Sequence, residues 1–142
     1  MTRRVQVVID SNDPHPLADW WAETLGWTVE AQDPEFIRRM VAEGHASEDD
    51  TMEYRGALVW RVGAAINGPE STSGTPRILF QWVPEEKSGK NRVHLDIKAD
   101  QEDLDALRDR LVERGATVLH EGWQGPQKWL TMSDPQGNEF CV

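Results

Sequence analysis

The sequence has a single cysteine, few basic residues and no long apolar segment. Cys141 has no second cysteine with which to form an intrachain disulfide, as is typical of a protein that folds in a reducing compartment. The 15 lysines and arginines face 25 aspartates and glutamates, and the resulting formal charge of −10 repels phosphate backbones and anionic lipids. The apolar run after Arg4 stops at Asp10, too early for a signal peptide or a membrane span. We therefore expect a cytoplasmic protein that binds neither nucleic acid nor membranes.

Tryptophan, by contrast, is abundant, with seven residues against three phenylalanines and one tyrosine. Trp20 and Trp21 are consecutive on a predicted helix, so at least one of them must enter the core. Trp129 has the parity of Thr131 on a predicted strand, which makes its indole a candidate wall of a ligand pocket. Aromatic faces of this kind suit a flat or apolar small organic molecule.

One strand-helix-strand unit occurs twice. Residues 5–10 and residues 93–98 each alternate in character and precede an amphipathic helix that ends at a glycine. The offset is 88 residues between Gln6 and His94 and 89 between the two glycines, so a single insertion or deletion reconciles both ends. The pattern predicts a duplicated module in which Gln6 and His94 occupy equivalent positions.

Further strand signals complete each module to the order β-α-β-β-β. In the first half, Asp13-Pro14 begins the helix, and the later strands are predicted at residues 27–31, 56–62 and 77–83, with turn residues at 67–74. An added helix is predicted from Asp33 to Gly44, and His15, between two prolines, is expected to be solvated. In the second half, Asp100 is the expected helix cap, and the later strands are predicted at 116–121, 127–132 and 138–142. The polar connection at 85–91 is too short for a flexible tether. We expect one domain, residues 1–142, made of module one (about 4–84) and module two (about 92–142).

The sequence also contains three characteristic motifs, which are Leu25-Gly26-Trp27, Arg92-Val93-His94-Leu95-Asp96 and Asp134-Pro135-Gln136-Gly137-Asn138-Glu139-Phe140. With the duplicated order, they resemble the vicinal oxygen chelate superfamily, in particular its glyoxalase-like and bleomycin-resistance-like members. The resemblance implies an α+β fold in which two βαβββ modules form curved mixed sheets around a pocket, with helices outside. It also implies a homodimer and, among reactions, isomerisation, epimerisation, epoxide opening or ring cleavage, whereas other members only sequester drugs.

The resemblance also implies a set of pocket residues on the first and last strands of each module. The first-strand positions are Gln6 and His94, and the last-strand position of module one is Gln81. In module two the usual acidic ligand lies seven residues after the aspartate of the Asp-Pro turn, where this chain has Cys141. Two amides, an imidazole and a thiol leave the charge of a divalent cation unbalanced, so no tightly bound catalytic metal is expected. If a metal is present, His94 and Glu139 are its expected ligands, since Glu139 shares the strand face of Cys141.

Each candidate has a functional and a structural interpretation. His94 is a metal ligand, a general base or a polar residue of the pocket wall. Gln6 and Gln81 hydrogen-bond a ligand or satisfy one another. Cys141 is a thiolate nucleophile or, as we favour because no cation is evident beside it, a small buried apolar residue. Asp96 shares the face of His94, but alternate strand residues are about 7 Å apart, so direct contact is not expected.

These patterns favour a glyoxalase-like protein that binds a small organic molecule without a tightly bound catalytic metal. The expected ligand contacts are Gln6, Gln81, His94, Trp129 and Cys141. The alternative is a metal-dependent lyase or isomerase of the vicinal oxygen chelate type, with His94 and Glu139 as its catalytic residues. A third interpretation is a pairing module without a ligand, which predicts a filled cavity.

Overall fold

The structure, a computed structural model, describes residues 1–69, 77–100 and 102–142. The chain divides into two compact units, Met1–Glu86 and Lys87–Val142. Each unit contains one four-stranded sheet. Within the described ranges, no helix combines the length and the apolar character that a membrane crossing requires. The assignment of both modules to one domain stays a prediction.

The first unit forms a mixed sheet with the helix α1 beside it. Its elements are β1 (Val7–Ser11), α1 (Pro14–Leu25), β2 (Thr28–Val29), α2 (Pro34–Ala42), a 3-10 turn (Glu48–Asp50), β3 (Thr51–Tyr54), β4 (Ala57–Trp60), β5 (Gly63–Asn67) and β6 (Ile78–Trp82). The sheet order is β1-β6-β5-β2, with β1 parallel to β6 and the other pairs antiparallel. Residues 70–74 of the predicted turn lie outside the described residues.

Burial of one side of α1 explains its position on this sheet. Leu17 and Trp21 are almost fully buried where α1 packs on β5 and β6, and Ile66 and Phe80 are the corresponding buried strand residues. Trp20 is buried as well, so both consecutive tryptophans are in the core. The helix ends where Gly26 adopts a left-handed conformation, which a residue without Cβ adopts at little cost.

The strand predicted at 56–62 corresponds to β4, but the strand before it, β3, and the strand after it, β5, were not predicted. β4 ends at Trp60, and β5 begins at Gly63 after a turn. β3 and β4 form a separate hairpin whose two-residue turn, Arg55-Gly56, has positive φ at both positions, as a type I′ turn requires. The hairpin is therefore an insertion between the strands of the repeated module.

This insertion covers the start of α1. The His15 ring stacks on Tyr54 with centroids 5.2 Å apart, and its Nε2 donates to the Trp60 carbonyl oxygen at 2.9 Å. His15 is only 4% exposed, so the expectation that it is solvated is wrong. The Tyr54 hydroxyl donates to Asp19 at 2.5 Å, which fastens the hairpin to the helix.

The second unit has the predicted β-α-β-β-β order without an insertion. Its elements are β7 (Leu95–Asp96), α3 (Leu104–Glu113), β8 (Thr117–Gln124), β9 (Gln127–Ser133) and β10 (Glu139–Cys141). The sheet order β7-β10-β9-β8 repeats that of the first unit, with first and last strands parallel. The cap of α3 is Asp103, whose carboxylate accepts from the Ala106 backbone N–H at 2.9 Å, rather than the predicted Asp100. The α+β class and the two mixed sheets are thus confirmed.

The two faces of the second sheet differ in character. On one face, Leu130, Met132 and Phe140 are fully buried. Leu107 and Leu111 of α3, in the same unit, are buried as well. The opposite face, called the open face below, carries Asp96, Trp129, Thr131 and Cys141. Strand pairing brings these residues together, since Cys141 lies opposite Asp96 on one side and Thr131 on the other.

Candidate ligand-binding site

A groove of about 710 Å³ lies on the open face, and all of its lining residues belong to the second unit. Its polar lining includes His94, Asp96, Thr131, Glu139 and Cys141. Its apolar lining includes Ile97, Leu104, Trp129 and Val142. The groove therefore combines an aromatic wall with several groups that can donate or accept hydrogen bonds.

His94 and Asp96 form a hydrogen-bonded pair in this groove. His94 Nδ1 lies 3.0 Å from Asp96 Oδ1, and the ring nitrogen is the donor because an ionised carboxylate only accepts. The side chains are 43% and 51% exposed. The expectation of no contact is wrong because β7 begins only at Leu95, so His94 lies outside the regular strand and its ring can turn toward Asp96. The signal in the sequence was the His-x-Asp spacing itself.

Cys141 completes a group of three chemically different side chains. A ring nitrogen of His94, a carboxylate oxygen of Asp96 and the thiol sulfur of Cys141 all lie within 4.8 Å of one another. Thr131 Oγ1 is 3.5 Å from the sulfur. Cys141 is half-buried, and its sulfur is reachable from the groove rather than enclosed in the core.

Glu139 is held apart from that group. Its carboxylate accepts from the Asn91 backbone N–H at 2.8 Å and from Lys90 Nζ at 3.3 Å. Desolvation raises the pKa of Glu139, but these hydrogen bonds and the nearby lysine charge outweigh it and hold the pKa below its ordinary value. Glu139 is therefore an ionised groove residue whose charge is already partnered.

Trp129 owes its position to the residue opposite it. In the pairing of β8 with β9, Trp129 lies against Gly122. A Cβ on Gly122 would overlap the six-membered ring of the indole. Glycine is required here for space rather than for an unusual backbone conformation. The half-buried indole can thus lie along the sheet and form a wall of the groove.

Gln6 and Gln81 lie in the first unit, where they are not neighbours. Gln6 accepts a hydrogen bond from Arg77 at 3.2 Å, whereas Gln81 pairs with Asp10 across the sheet. The β1–β6 register separates the two glutamines by about 13 Å along the strands. The first unit therefore does not bring its two predicted ligand contacts together.

The strand register also changes which positions of the two modules correspond. Asp10 lies opposite Gln81, and Asp96 lies opposite Cys141. If these pairs are equivalent, the counterpart of His94 is Val8, two residues after Gln6. The correspondence of Gln6 with His94 comes from the alternating pattern of the two strand segments, and a shift of two residues preserves that alternation.

The superfamily that the motifs resemble includes metal-dependent members, and the donor chemistry of the second unit fits a divalent metal. Imidazole, carboxylate and thiolate are all ligands of Zn²⁺, whose bonds to them are about 2.0–2.3 Å long. Among the described residues, His94, Asp96 and Cys141 are the group whose donor atoms lie close enough for this role, within 4.8 Å of one another. Glu139 is not part of this group.

Solved structures with this arrangement of elements include glyoxalases and fosfomycin resistance proteins. A glyoxalase family protein from Bacillus cereus aligns with a TM-score of 0.61 at 16% identity, covering 99% of this chain and 93% of that one. A fosfomycin resistance protein from Mesorhizobium loti aligns with a TM-score of 0.61 at 8% identity, covering 99% and 90%. The trypanothione-dependent glyoxalase I of Leishmania major aligns with a TM-score of 0.57 at 16% identity, covering 99% and 85%. At such identities these likenesses establish the fold alone.

The family follows from the sequence profile. The profile described as a glyoxalase-like domain matches residues 6–142, so the chain belongs to the glyoxalase-like domain family. The resemblance drawn from the sequence motifs is confirmed. None of the curated proteins matches the chain.

Proposed function

We propose that the second unit binds a small organic molecule in the groove on its open face. The observation that carries this proposal is the groove itself, which places an indole wall beside a hydrogen-bonded His-Asp pair. Its volume of about 710 Å³ falls within the range of roughly 300–1,000 Å³ that is usual for small-molecule sites. His94, Trp129 and Cys141 are the proposed contacts, and the assignment of Gln6 and Gln81 as ligand contacts stays a prediction.

The lining favours a ligand with a flat apolar part and a polar end. The face of Trp129 offers a stacking surface, and Ile97 and Leu104 extend the apolar area. At the polar end, the imidazole of His94 and the hydroxyl of Thr131 can each donate or accept. A carbonyl, carboxylate or sulfonate attached to an aromatic system has this combination.

The fluorescent dye anilinonaphthalene sulfonate is a suitable probe, because it joins a flat aromatic system to an anionic group. We expect it to bind the wild-type protein with enhanced fluorescence, and Trp129→Ala to weaken its binding about tenfold or more through loss of the stacking face. The matched control is Trp123→Ala, which removes an indole that is 61% exposed and lies outside the groove lining. Equal effects of the two substitutions would refute the proposed site.

The second candidate is a metal-dependent lyase or isomerase, favoured by the grouping of His94, Asp96 and Cys141. These three residues would hold the ion, which when bound acts as a Lewis acid toward a substrate oxygen. Glu139 would be the candidate proton acceptor in the groove, although its hydrogen bonds to the Asn91 N–H and Lys90 lower its pKa and so weaken it as a base. Asp96 would also fix the orientation of the His94 ring.

Metal analysis separates the two candidates. The protein is purified without chelators, and its zinc, nickel, manganese and iron contents are measured by mass spectrometry together with isothermal titration of Zn²⁺. Near-stoichiometric metal that is lost in His94→Ala, but kept in the matched control His45→Ala, supports the metal-dependent enzyme. Absence of stoichiometric binding in both experiments supports the metal-free binding protein.

A further inference from the structure

We propose that Asn67 is a site of spontaneous deamidation through attack by the Gly68 backbone nitrogen, and that the carboxylate formed there destabilises the edge of the first sheet by repelling Glu30. The site lies in the first unit and depends neither on the groove nor on a metal. It adds a covalent modification to the start of a segment that the sequence marks only as a turn.

The residue that follows Asn67 favours this reaction. Asn67 is the only asparagine of the chain followed by glycine, whereas Asn12, Asn91 and Asn138 precede aspartate, arginine and glutamate. In deamidation the backbone nitrogen of the next residue attacks the side-chain carbonyl carbon, and a Cβ on that next residue hinders its approach. Gly68 has no Cβ, so its nitrogen meets the least steric hindrance of the four.

The structure leaves the attacking nitrogen untied. Asn67 is the last residue of β5, and its pairing with Thr28 is the end of the β2–β5 ladder. Asn67 and Gly68 are both half-buried, so water reaches this end of the strand. In residues 1–69, 77–100 and 102–142, the Gly68 N–H has no hydrogen-bond acceptor. Formation of a ring by this nitrogen therefore breaks no hydrogen bond of the sheet.

Water is the only reactant that the modification needs. The Gly68 nitrogen loses its proton to hydroxide and forms a bond to Cγ of Asn67, which closes a five-membered ring. The bond from Cγ to Nδ2 breaks, and the amine takes up a proton from water and leaves as ammonia. Water then adds to one of the two ring carbonyls and breaks its bond to nitrogen. Opening at Cγ gives aspartate, and opening at the main-chain carbonyl gives isoaspartate.

The new carboxylate forms beside an existing one. Asn67 Nδ2 donates to Glu30 Oε2 at 3.0 Å, and Arg77 donates to the two oxygens of the same carboxylate from Nε at 2.7 Å and Nη2 at 3.1 Å. The hydrogen bonds from Arg77 and then from Asn67 lower the pKa of Glu30, which is therefore ionised at neutral pH. Deamidation replaces a donor to Glu30 with a like charge and leaves Arg77 to balance two carboxylates.

The repulsion acts on the shortest strand of the first sheet. β2 has two residues, lies at the sheet edge and pairs with β5 alone. Glu30 extends this pairing by one hydrogen bond, from its backbone N–H to the Ala65 carbonyl oxygen at 2.8 Å. A force that separates Glu30 from residue 67 therefore opposes the pairing of β2 with β5.

Peptide mapping by mass spectrometry tests the modification. The folded protein is incubated at mildly alkaline pH, where loss of the amide proton is faster, and isoaspartate is detected by enzymatic methylation. We expect Asn67 to deamidate about tenfold faster or more than the other asparagines of the same chain, and Gly68→Ala to slow it by a similar factor. Asn67→Gln is a second variant, because it keeps an amide donor but requires a larger ring, and it should abolish the modification at this position.

A double-mutant cycle tests the consequence. Asn67→Asp should lower the urea midpoint of unfolding, and in a Glu30→Gln background the same change should leave the midpoint nearly unchanged. The matched control is Asn12→Asp, which adds the same charge after the opposite end of β1, where its side chain bonds the carbonyl oxygens of Val83 and Glu85. Its effect should be equal in both backgrounds.

Either of two results overturns the inference. The first is deamidation of Asn67 in the folded protein no faster than that of the other asparagines. The second is an equal shift of the midpoint by Asn67→Asp with and without Glu30, which would show that the two side chains do not interact. Preferential deamidation together with loss of the shift in Glu30→Gln supports it.

Discussion

Gly122 lies so close to the Trp129 indole that even the methyl group of an alanine at position 122 would overlap the ring. We expect Gly122→Ala to lower the free energy of unfolding by about 1–3 kcal/mol and to push the indole into the groove, because a well-packed site responds to added volume with strain. Urea unfolding measures the stability, and dye binding reports the groove.

A double-mutant cycle separates this contact from other effects of the substitution. In a Trp129→Ala background the added methyl group has no ring to meet, so the cost of Gly122→Ala should largely disappear. If the cost is the same in both backgrounds, the close approach is not the reason for glycine at this position.

Single residues also show where sequence reasoning reaches its limit. Strand parity placed Trp129 on the same face as Thr131, and both residues line the groove. The spacing of residues in a regular strand did not predict the contact between Asp96 and His94. That spacing does not apply to His94, because His94 lies just before the strand. The expectation that Cys141 is a buried apolar residue rested on the absence of a nearby cation in the sequence, and the sequence does not show that His94 and Asp96 lie near its sulfur, because they belong to the other end of the module.

At the scale of elements, the phenol of Tyr54 links the β3–β4 hairpin to α1. Desolvation and the hydrogen bond to Asp19 raise the pKa of Tyr54 to about 12, against 10.0 for a free side chain. A side chain whose pKa is raised by folding stabilises the folded protein fully at pH values below its pKa in the unfolded chain. This stabilisation is lost as the pH rises through its pKa in the folded protein. The contribution should therefore persist to pH 10 and vanish toward pH 12.

Tyr54 is the only tyrosine, so the ultraviolet absorbance of tyrosinate reports its titration alone. We expect a midpoint near 12 in the wild type and a midpoint closer to 10 in Asp19→Asn, since the acceptor of the phenol proton is weakened. We also expect Tyr54→Phe to lose about 1 kcal/mol of stability at neutral pH through the missing hydrogen bond. An unchanged midpoint in Asp19→Asn would contradict this account.

The hairpin is also the element that the sequence predicted least well. The repeat provides a template for strands that occur in both modules, and the strands of the second unit match their predicted positions closely. Residues 45–62 have no counterpart in the second copy, so nothing in the repeat indicated two strands there. The Arg55-Gly56 turn was the local signal, since glycine favours the left-handed conformation that such a turn needs.

On the scale of the whole molecule, the same strand order occurs in both sheets. The repeat in the sequence was sufficient to predict this order and the family, because both depend on the sequence of elements rather than on contacts. It was not sufficient to align the pocket positions, since a shift of two residues in strand pairing leaves the parity of every side chain unchanged.

The expected homodimer is a prediction about the whole molecule. Light scattering at micromolar concentration should give twice the chain mass of 16.2 kDa. The net charge of −10 would weaken association at low ionic strength, so the dimer fraction should rise with salt. A mass of one chain at every concentration and salt condition would show that the protein is a monomer.

Asp10 and Asp96 have matching places in the two sheets, so the first sheet has the same register as the second but lacks its histidine and cysteine. Asp10 lies opposite the amide of Gln81, whereas Asp96 lies opposite a thiol. Val8 and Gln81 are both exposed, so exchanging them for histidine and cysteine disturbs no packed core. Two substitutions would thus graft a second His-Asp-Cys cluster onto a scaffold whose strand pairing already has the correct register.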